Sequence, residues 1–148
     1  MFDNNGFGIY NIVLQLNYQK NNRDKINSYK KERRLNDHLY RLTENVRNLI
    51  KIAIKRKDYK KQSKTIDILG CTPIELQKHL ESKFESWMTW ENYGLYNGES
   101  NYGWDIDHII PNNTTNDYDE LIKLNHYTNL QPLCSHINRD VKRYNPNY

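Results

Sequence analysis

The sequence predicts an α+β fold in which a basic, helical half precedes two short strands. Over residues 36–57 the apolar residues recur at three- and four-residue steps, the mark of a helix with one buried face. At Thr72-Pro73-Ile74-Glu75 a capping box coincides with proline at the first helical position, which opens a second helix. Late in the chain, 105–110 and 130–134 read as short strands.

In chain order, residues 1–17 are Asn/Gly-rich around a brief apolar run, Ile9 to Leu16, and are expected to be a frayed N-terminal tail. Residues 18–34 are densely charged and read as helix or as disorder. The 36–57 helix places Leu39, Leu42, Val46, Leu49, Ile50 and Ala53 on one face, with Arg41, Arg47, Lys51, Lys55 and Arg56 opposite; Lys57 to Lys64 follows as a basic linker. In the helix opened by Thr72, Ile74, Leu76, Leu80 and Phe84 are expected to point inward. Gly94 and Gly98 mark the next loop, 117–124 is expected to be a short helix between the strands, and 137–144 a closing helix. The organisation read from this is a tail (1–17), a basic helical extension (18–64), a helical support region (65–99) and a C-terminal module (100–148).

At 148 residues the chain is one domain, or one small domain with an extension. Hydrophobic content of 36% and a mean hydropathy of −1.01 mean a thin core. No apolar run approaches the roughly 20 residues that span a bilayer, and Met1 to Gly8 lacks the basic start of a signal peptide. The expected location is intracellular, in a cytoplasm or a host cell, and not secreted. Cys71 and Cys134 form no Cys-x-x-Cys pair, so two buried, reduced thiols are expected and zinc is not. The net charge of +4 divides unevenly. Residues 18–64 hold 16 Lys/Arg against 5 Asp/Glu (+11) and the remainder holds 6 against 13 (−7). A basic half beside an acidic half suits an electrostatic nucleic-acid anchor joined to a cation-binding part.

The chemistry concentrates in Trp104-Asp105-Ile106-Asp107-His108-Ile109-Ile110-Pro111, Thr128-Asn129-Leu130-Gln131-Pro132-Leu133-Cys134, and Asn138 with Lys142 beyond. One carboxylate, one imidazole and two carboxamides can hold one hard cation and supply one base. Asparagine is frequent here, 21 of 148 residues, so the two asparagines alone are weak; the ordered set around Asp-His-Ile-Ile-Pro is strong. These segments resemble the HNH endonuclease family, the ββα-metal nucleases, in the variant of the motif that ends in Asn. Ile68-Leu69-Gly70-Cys71-Thr72, Met88-Thr89-Trp90-Glu91-Asn92-Tyr93-Gly94 and Leu124-Asn125-His126-Tyr127-Thr128 are also similar to small phage and giant-virus HNH proteins, some of the free-standing homing type.

The resemblance implies a β, β, α order over the C-terminal module and assigns roles: Asp107 and Asn138 as metal ligands, His108 as general base, Asn129 as the brace of the loop behind it. Oxygen ligands select Mg²⁺, with Mn²⁺ as a substitute. His136, two residues from Asn138, is the competing last ligand. The implied substrate is DNA, double-stranded, cut to 5′-phosphate and 3′-hydroxyl; a double-strand break requires a homodimer or two sequential nicks. Arg41, Arg47, Lys51, Lys55, Arg56, Lys60 and Lys61, with Arg139, Lys142 and Arg143 beside the motif, are the expected phosphate contacts. His126 reads as structural, His38 and His79 carry no assigned role, and Trp87, Trp90 and Trp104 read as core. The alternative is a nucleic-acid-binding protein with a silent HNH site. Asp107 and His108 are neighbours, so on a regular strand they point to opposite faces; both reach one site only if the strand twists or ends there, and Pro111 favours an early end.

Overall fold

The computed structural model describes residues 4–142, with side-chain burial from Tyr10 onward. It is an α+β structure that divides into two compact units, Met1–Arg41 and Leu42–Tyr148. In the first, α1 (Asn4–Asn21) and α2 (Arg23–Asn36) are separated by a break at Asn22. The segment expected as a tail is therefore helical from Asn4, and 18–34 resolves as helix. No residue of α2 is buried, as its charged sequence dictates.

α3 (His38–Arg56) begins behind Asp37, whose carboxylate accepts the Tyr40 N–H at 2.8 Å as an N-cap does. That hydrogen bond holds the Asp37 carboxyl below its ordinary range. Leu42, Val46, Ile50, Ala53 and Ile54 are the buried residues of α3; of the expected face Leu39 and Leu49 are only half-buried, and Ile54, one turn from Ile50, joins it. The buried residues meet Ile68 and Leu69 of α4 (Thr65–Leu69) and Leu76 and Leu80 of α5 (Pro73–Glu81) in the core of the second unit.

α5 carries the full capping box: Glu75 N–H donates to Thr72 Oγ1 at 3.3 Å, and Thr72 N–H donates to Glu75 at 2.7 Å. Ile74 corrects the expected inward set, being 54% exposed. It precedes Leu76 by two residues, about 200° around the helix, so the two cannot share a face.

β1 (Trp104–His108) and β2 (Leu130–Cys134) form an antiparallel pair, with Trp104 opposite Cys134, Ile106 opposite Pro132 and His108 opposite Leu130. Both strands of a two-stranded sheet are edges, which is where Pro132 is tolerated. β1 is anchored by Trp104, which is fully buried; its indole N–H donates to Thr89 O at 2.7 Å, and Phe84, Trp90 and Tyr93 pack around it at 4.5–5.2 Å between ring centres. Gly103 is required just before it, because a Cβ there would collide with the Leu95 carbonyl. Between the strands runs α6 (Tyr118–Leu124), capped by Asp117, which accepts the Glu120 N–H at 2.8 Å. After β2 the chain makes a π-helical turn, Ile137–Val141, in place of the expected longer helix; 143–144 lie outside the described residues.

Trp104→Ala should lower the urea unfolding free energy by about 3–5 kcal/mol. Ile74→Ala, on the solvent face of α5, should stay within about 0.5 kcal/mol. Equal losses at both positions would contradict this placement of the core.

Candidate functional site

β1 stops at His108 because the chain beyond it is taken over by one residue, Asn129. Ile109 N–H donates to the Asn129 main-chain carbonyl at 2.9 Å, and Ile110 N–H donates to Asn129 Oδ1 at 2.9 Å. Asn129 Nδ2 in turn donates to Ile110 O at 3.0 Å and Leu124 O at 2.7 Å. Pro111 follows with no N–H to continue a ladder. Asn129 thus ties the exit of β1 to the last residue of α6, and the next residue is Asn125.

Asn125 is 1% exposed. Its Nδ2 donates to Leu121 O at 2.8 Å and lies 3.2 Å from Asn112 Oδ1, and its Oδ1 is 3.1 Å from His108 Nε2. Asn112 Nδ2 approaches the same ring nitrogen at 3.2 Å. His108 is half-buried and lines a cavity of about 500 Å³. The facing wall is a stripe of α3, Asn45, Leu49, Ile52 and Arg56, and Asn112 and Asn113 close one side with Lys57 at the rim. Burial holds the His108 imidazole below its ordinary value; the hydrogen bond to Asn125 and the charge of Asp107 pull it up, and Lys142 pushes it down. An imidazole held down in this way is neutral at physiological pH.

Asp107 leaves β1 on the opposite face. It is buried, and its Oδ2 accepts from Lys142 Nζ at 2.7 Å and from Gln131 Nε2, its cross-strand neighbour, at 3.0 Å. Lys142 Nζ also donates to the His108 carbonyl at 2.8 Å. Lys142, expected at the phosphates, therefore neutralises a buried carboxylate and is linked to both members of the Asp-His pair. Arg139 is likewise engaged, donating through Nε and Nη2 to the two oxygens of Asp105, each at 2.7 Å, with its guanidinium over the Tyr96 ring.

Asn138 borders a neighbouring recess with Asp105, Ile106 and Arg139; Asp107 is not among the residues lining it. His136 Nδ1 pairs with Asp140 at 2.8 Å, and Tyr96 donates to the same carboxylate at 2.6 Å. The structure thus joins His108 to Asn129 through Asn125, while Asp107, Asn138 and His136 each have surroundings of their own. His126 packs on Gly70, where a Cβ would collide with its ring and φ is +74°. His79 Nε2 lies 3.0 Å from Leu130 O. Neither imidazole is among the residues lining the His108 cavity. The Cys71 thiol, buried, is pushed up to about 11.

Among the expected phosphate contacts, Arg47, Lys51, Lys55, Arg56, Lys60 and Lys61 are exposed and Arg41 is half-buried; Arg47 pairs with Glu44 at 2.6 Å. Only Arg56 of these borders the His108 cavity. Arg47 and Lys51 lie about a third of the circumference or more around α3 from the stripe that faces it. Arg143 falls outside the described residues. Two residues that the sequence reading missed, Asn125 and Asn112, contact the imidazole. Asn125 lies in the Leu124–Thr128 segment of the wider resemblance, to which no chemistry is attached, and Asn112 had only nearness to the motif, among 21 asparagines.

No protein-family model matches the sequence, and no solved structure matches it. The chain is similar to two uncharacterized proteins of Acanthamoeba polyphaga mimivirus. One is 29% identical over 127 residues, covering 84% of this chain and 52% of the relative. The other is 30% identical over 139 residues, covering 84% and 57%. The chain spans a little over half the length of the curated relatives it matches. Among the described residues no helix is long and apolar enough to cross a membrane.

The Lys142–Asp107 pair has side chains only 14% and 7% exposed, against 57% and 29% for Arg47–Glu44. Lys142→Met should cost about 3 kcal/mol, because it leaves a buried carboxylate without its counter-charge. Arg47→Met should cost less than about 1 kcal/mol. Urea denaturation at neutral pH reads both.

Proposed function

We propose that the chain is a metal-dependent DNA endonuclease of the HNH type that hydrolyses phosphodiester bonds with His108 as its general base. The observation that carries this reading is the state of His108: an imidazole of the motif, lining a cavity, braced from behind and held neutral by burial. β1, β2 and the turn after them follow the β, β, α order of that family, which supports reading 100–148 as the nuclease module. Arg56 and Lys57 at the cavity supply cationic groups for a phosphodiester. The mimivirus relatives fit a viral nuclease acting inside a host cell, including the homing type.

As donor types, the Asp107 carboxylate and the Asn138 amide oxygen suit a hard divalent cation. The Asp107 carboxylate is held by Lys142 and Gln131, and Asn138 lines a recess that Asp107 does not, so an ion shared by the two would have to displace Lys142. Asp107 and Asn138 would hold Mg²⁺, with Mn²⁺ as a substitute, and the ion would supply charge stabilisation at the phosphate and the leaving 3′ oxygen. His108 takes a proton from the attacking water as its oxygen bonds to phosphorus. The bond to the 3′ oxygen breaks and that oxygen takes a proton from solvent, giving 5′-phosphate and 3′-hydroxyl. Asn129 keeps the backbone behind the base fixed.

The second reading is a nucleic-acid-binding protein with a silent site. The observation favouring it is that the Asp107 carboxylate is already satisfied by Lys142 and Gln131 on the strand face opposite His108. Plasmid nicking with and without Mg²⁺ separates the two, silence with retained DNA binding selecting the second.

His108→Ala should abolish nicking while DNA affinity stays within a few fold. Asp107→Ala and Asn138→Ala should move activity to higher Mg²⁺, and His136→Ala should do so less; the reverse order would transfer the ligand role to His136. The imidazole must be neutral to accept a proton and is held below its ordinary value near 6.5, so kcat/KM should fall only below about pH 6.5. A half-point above that pH would contradict the assignment.

Replacing Arg47, Lys51 and Lys55 together by Gln should weaken binding to all DNA sequences alike. Each lost phosphate contact should flatten the plot of log affinity against log salt by about 0.9. The three lie around α3 from the cavity, so the single-turnover rate at saturating protein should be unchanged, whereas Arg56→Gln should lower it. An unchanged salt slope would make the stripe a solvated face.

A further inference from the structure

We propose that Asn125 is the positioning residue for His108: it fixes the imidazole as the tautomer protonated at Nε2 and leaves the Nδ1 lone pair as the proton acceptor. The tautomer follows from the structure alone; its catalytic consequence rests on the nuclease reading.

The orientation of the Asn125 amide settles which group donates. Its Nδ2 donates to Leu121 O at 2.8 Å, and Leu121 and Asn125 are 0% and 1% exposed. Reversing the amide would set Oδ1 against that carbonyl, two acceptors facing each other with no water to relieve them. Oδ1 therefore faces the ring, and Nε2, 3.1 Å away, must carry the proton. Asn112 Nδ2, 3.2 Å from the same nitrogen, asks for the opposite, a lone pair on Nε2. One ring nitrogen cannot meet both demands. Asn112 is half-buried on a surface 3₁₀ turn, where water can satisfy its amide, whereas Asn125 is locked; the Asn125 bond prevails.

The burial itself is informative. A carboxamide taken out of water costs free energy unless its groups are paired, and a leucine would fill a 1%-exposed site without that cost. Nδ2 is paired with Leu121 O and Asn112 Oδ1, which leaves Oδ1 for the ring. A neutral imidazole free to exchange its proton would present the base only part of the time; one tautomer presents it always. Asn129, by tying Leu124 to Ile110, sets the distance at which this works.

The test begins with the metal-free wild-type protein labelled with ¹⁵N-histidine, at a pH where His108 is neutral. Expected is a protonated-type Nε2 resonance coupled with an unprotonated-type Nδ1. The opposite pattern, or shifts averaged as in free imidazole, overturns the proposal. Asn125→Leu should release the averaging and lower kcat about 10- to 100-fold with KM within about twofold. Asn125→Thr, whose hydroxyl can accept from Nε2–H and donate to Leu121 O four residues back, should restore the spectrum and part of kcat. If Thr restores no more than Leu, or if KM carries the loss, Asn125 is only structural and the proposal fails. If Asn125→Leu does not fold, the wild-type spectrum decides. A wild-type protein with the expected tautomer but no nicking sinks the nuclease reading and leaves the tautomer assignment standing.

Discussion

The carboxamide of Asn129 holds three backbone groups at once, Ile110 N–H, Ile110 O and Leu124 O, and the geometry around His108 depends on that clamp. On one side it ends β1 by diverting the chain before Pro111. On the other it fixes the last turn of α6, and Asn125 follows directly. Without the clamp, Ile110 and Leu124 lose the hydrogen bonds that hold them to one residue, and the 3.1 Å hydrogen bond between His108 and Asn125 loses that support. A single residue of modest size thereby converts two local structures into one site.

The pleat of β1 sorts the charges. Trp104, Ile106 and His108 take one face; Asp105 and Asp107 take the other. The two carboxylates are then neutralised in parallel by the turn after β2, Arg139 on Asp105 and Lys142 on Asp107. The spacing of three between those cations, on a π-helical turn, brings them beside carboxylates two residues apart on a strand. The imidazole keeps only the modest influence of this pair, Asp107 raising its proton affinity and Lys142 lowering it, so burial dominates and keeps the ring neutral.

Much of this was legible in the sequence because it is local. The capping box at Thr72 and the Asp117 cap follow from residues within four positions of one another, and the buried face of α3 follows from helical spacing. The early end of β1 was readable from Pro111. Ile74 is apolar, but its angle of about 200° to Leu76 around the helix sets it at solvent, and apolar character alone does not show that. Asn125 on His108, Lys142 on Asp107 and Arg139 on Asp105 come from 17, 35 and 34 residues away, and no period connects them. Lysine and arginine beside a nuclease-like motif read as phosphate contacts by composition, yet here they are committed to carboxylates on the strand.

The basic helix and the cavity share an element. From Leu42 onward α3 packs in the same compact unit as the sheet, so its three faces do different work. The buried row from Leu42 to Ile54 holds the core, the Asn45–Leu49–Ile52–Arg56 stripe walls the His108 cavity, and Arg47, Lys51 and Lys55 turn outward. The lining is mostly apolar, which limits the phosphate contacts at the cavity to its cations, Arg56 and Lys57. On the proposed function, a nucleic acid approaching His108 would gain most of its electrostatic attraction outside the cavity and its register inside it. Because both surfaces are rigidly attached to one helix, a shift of α3 against the sheet would change affinity and alignment together. The apolar contacts of Leu42, Val46 and Ile50 are what prevent that shift.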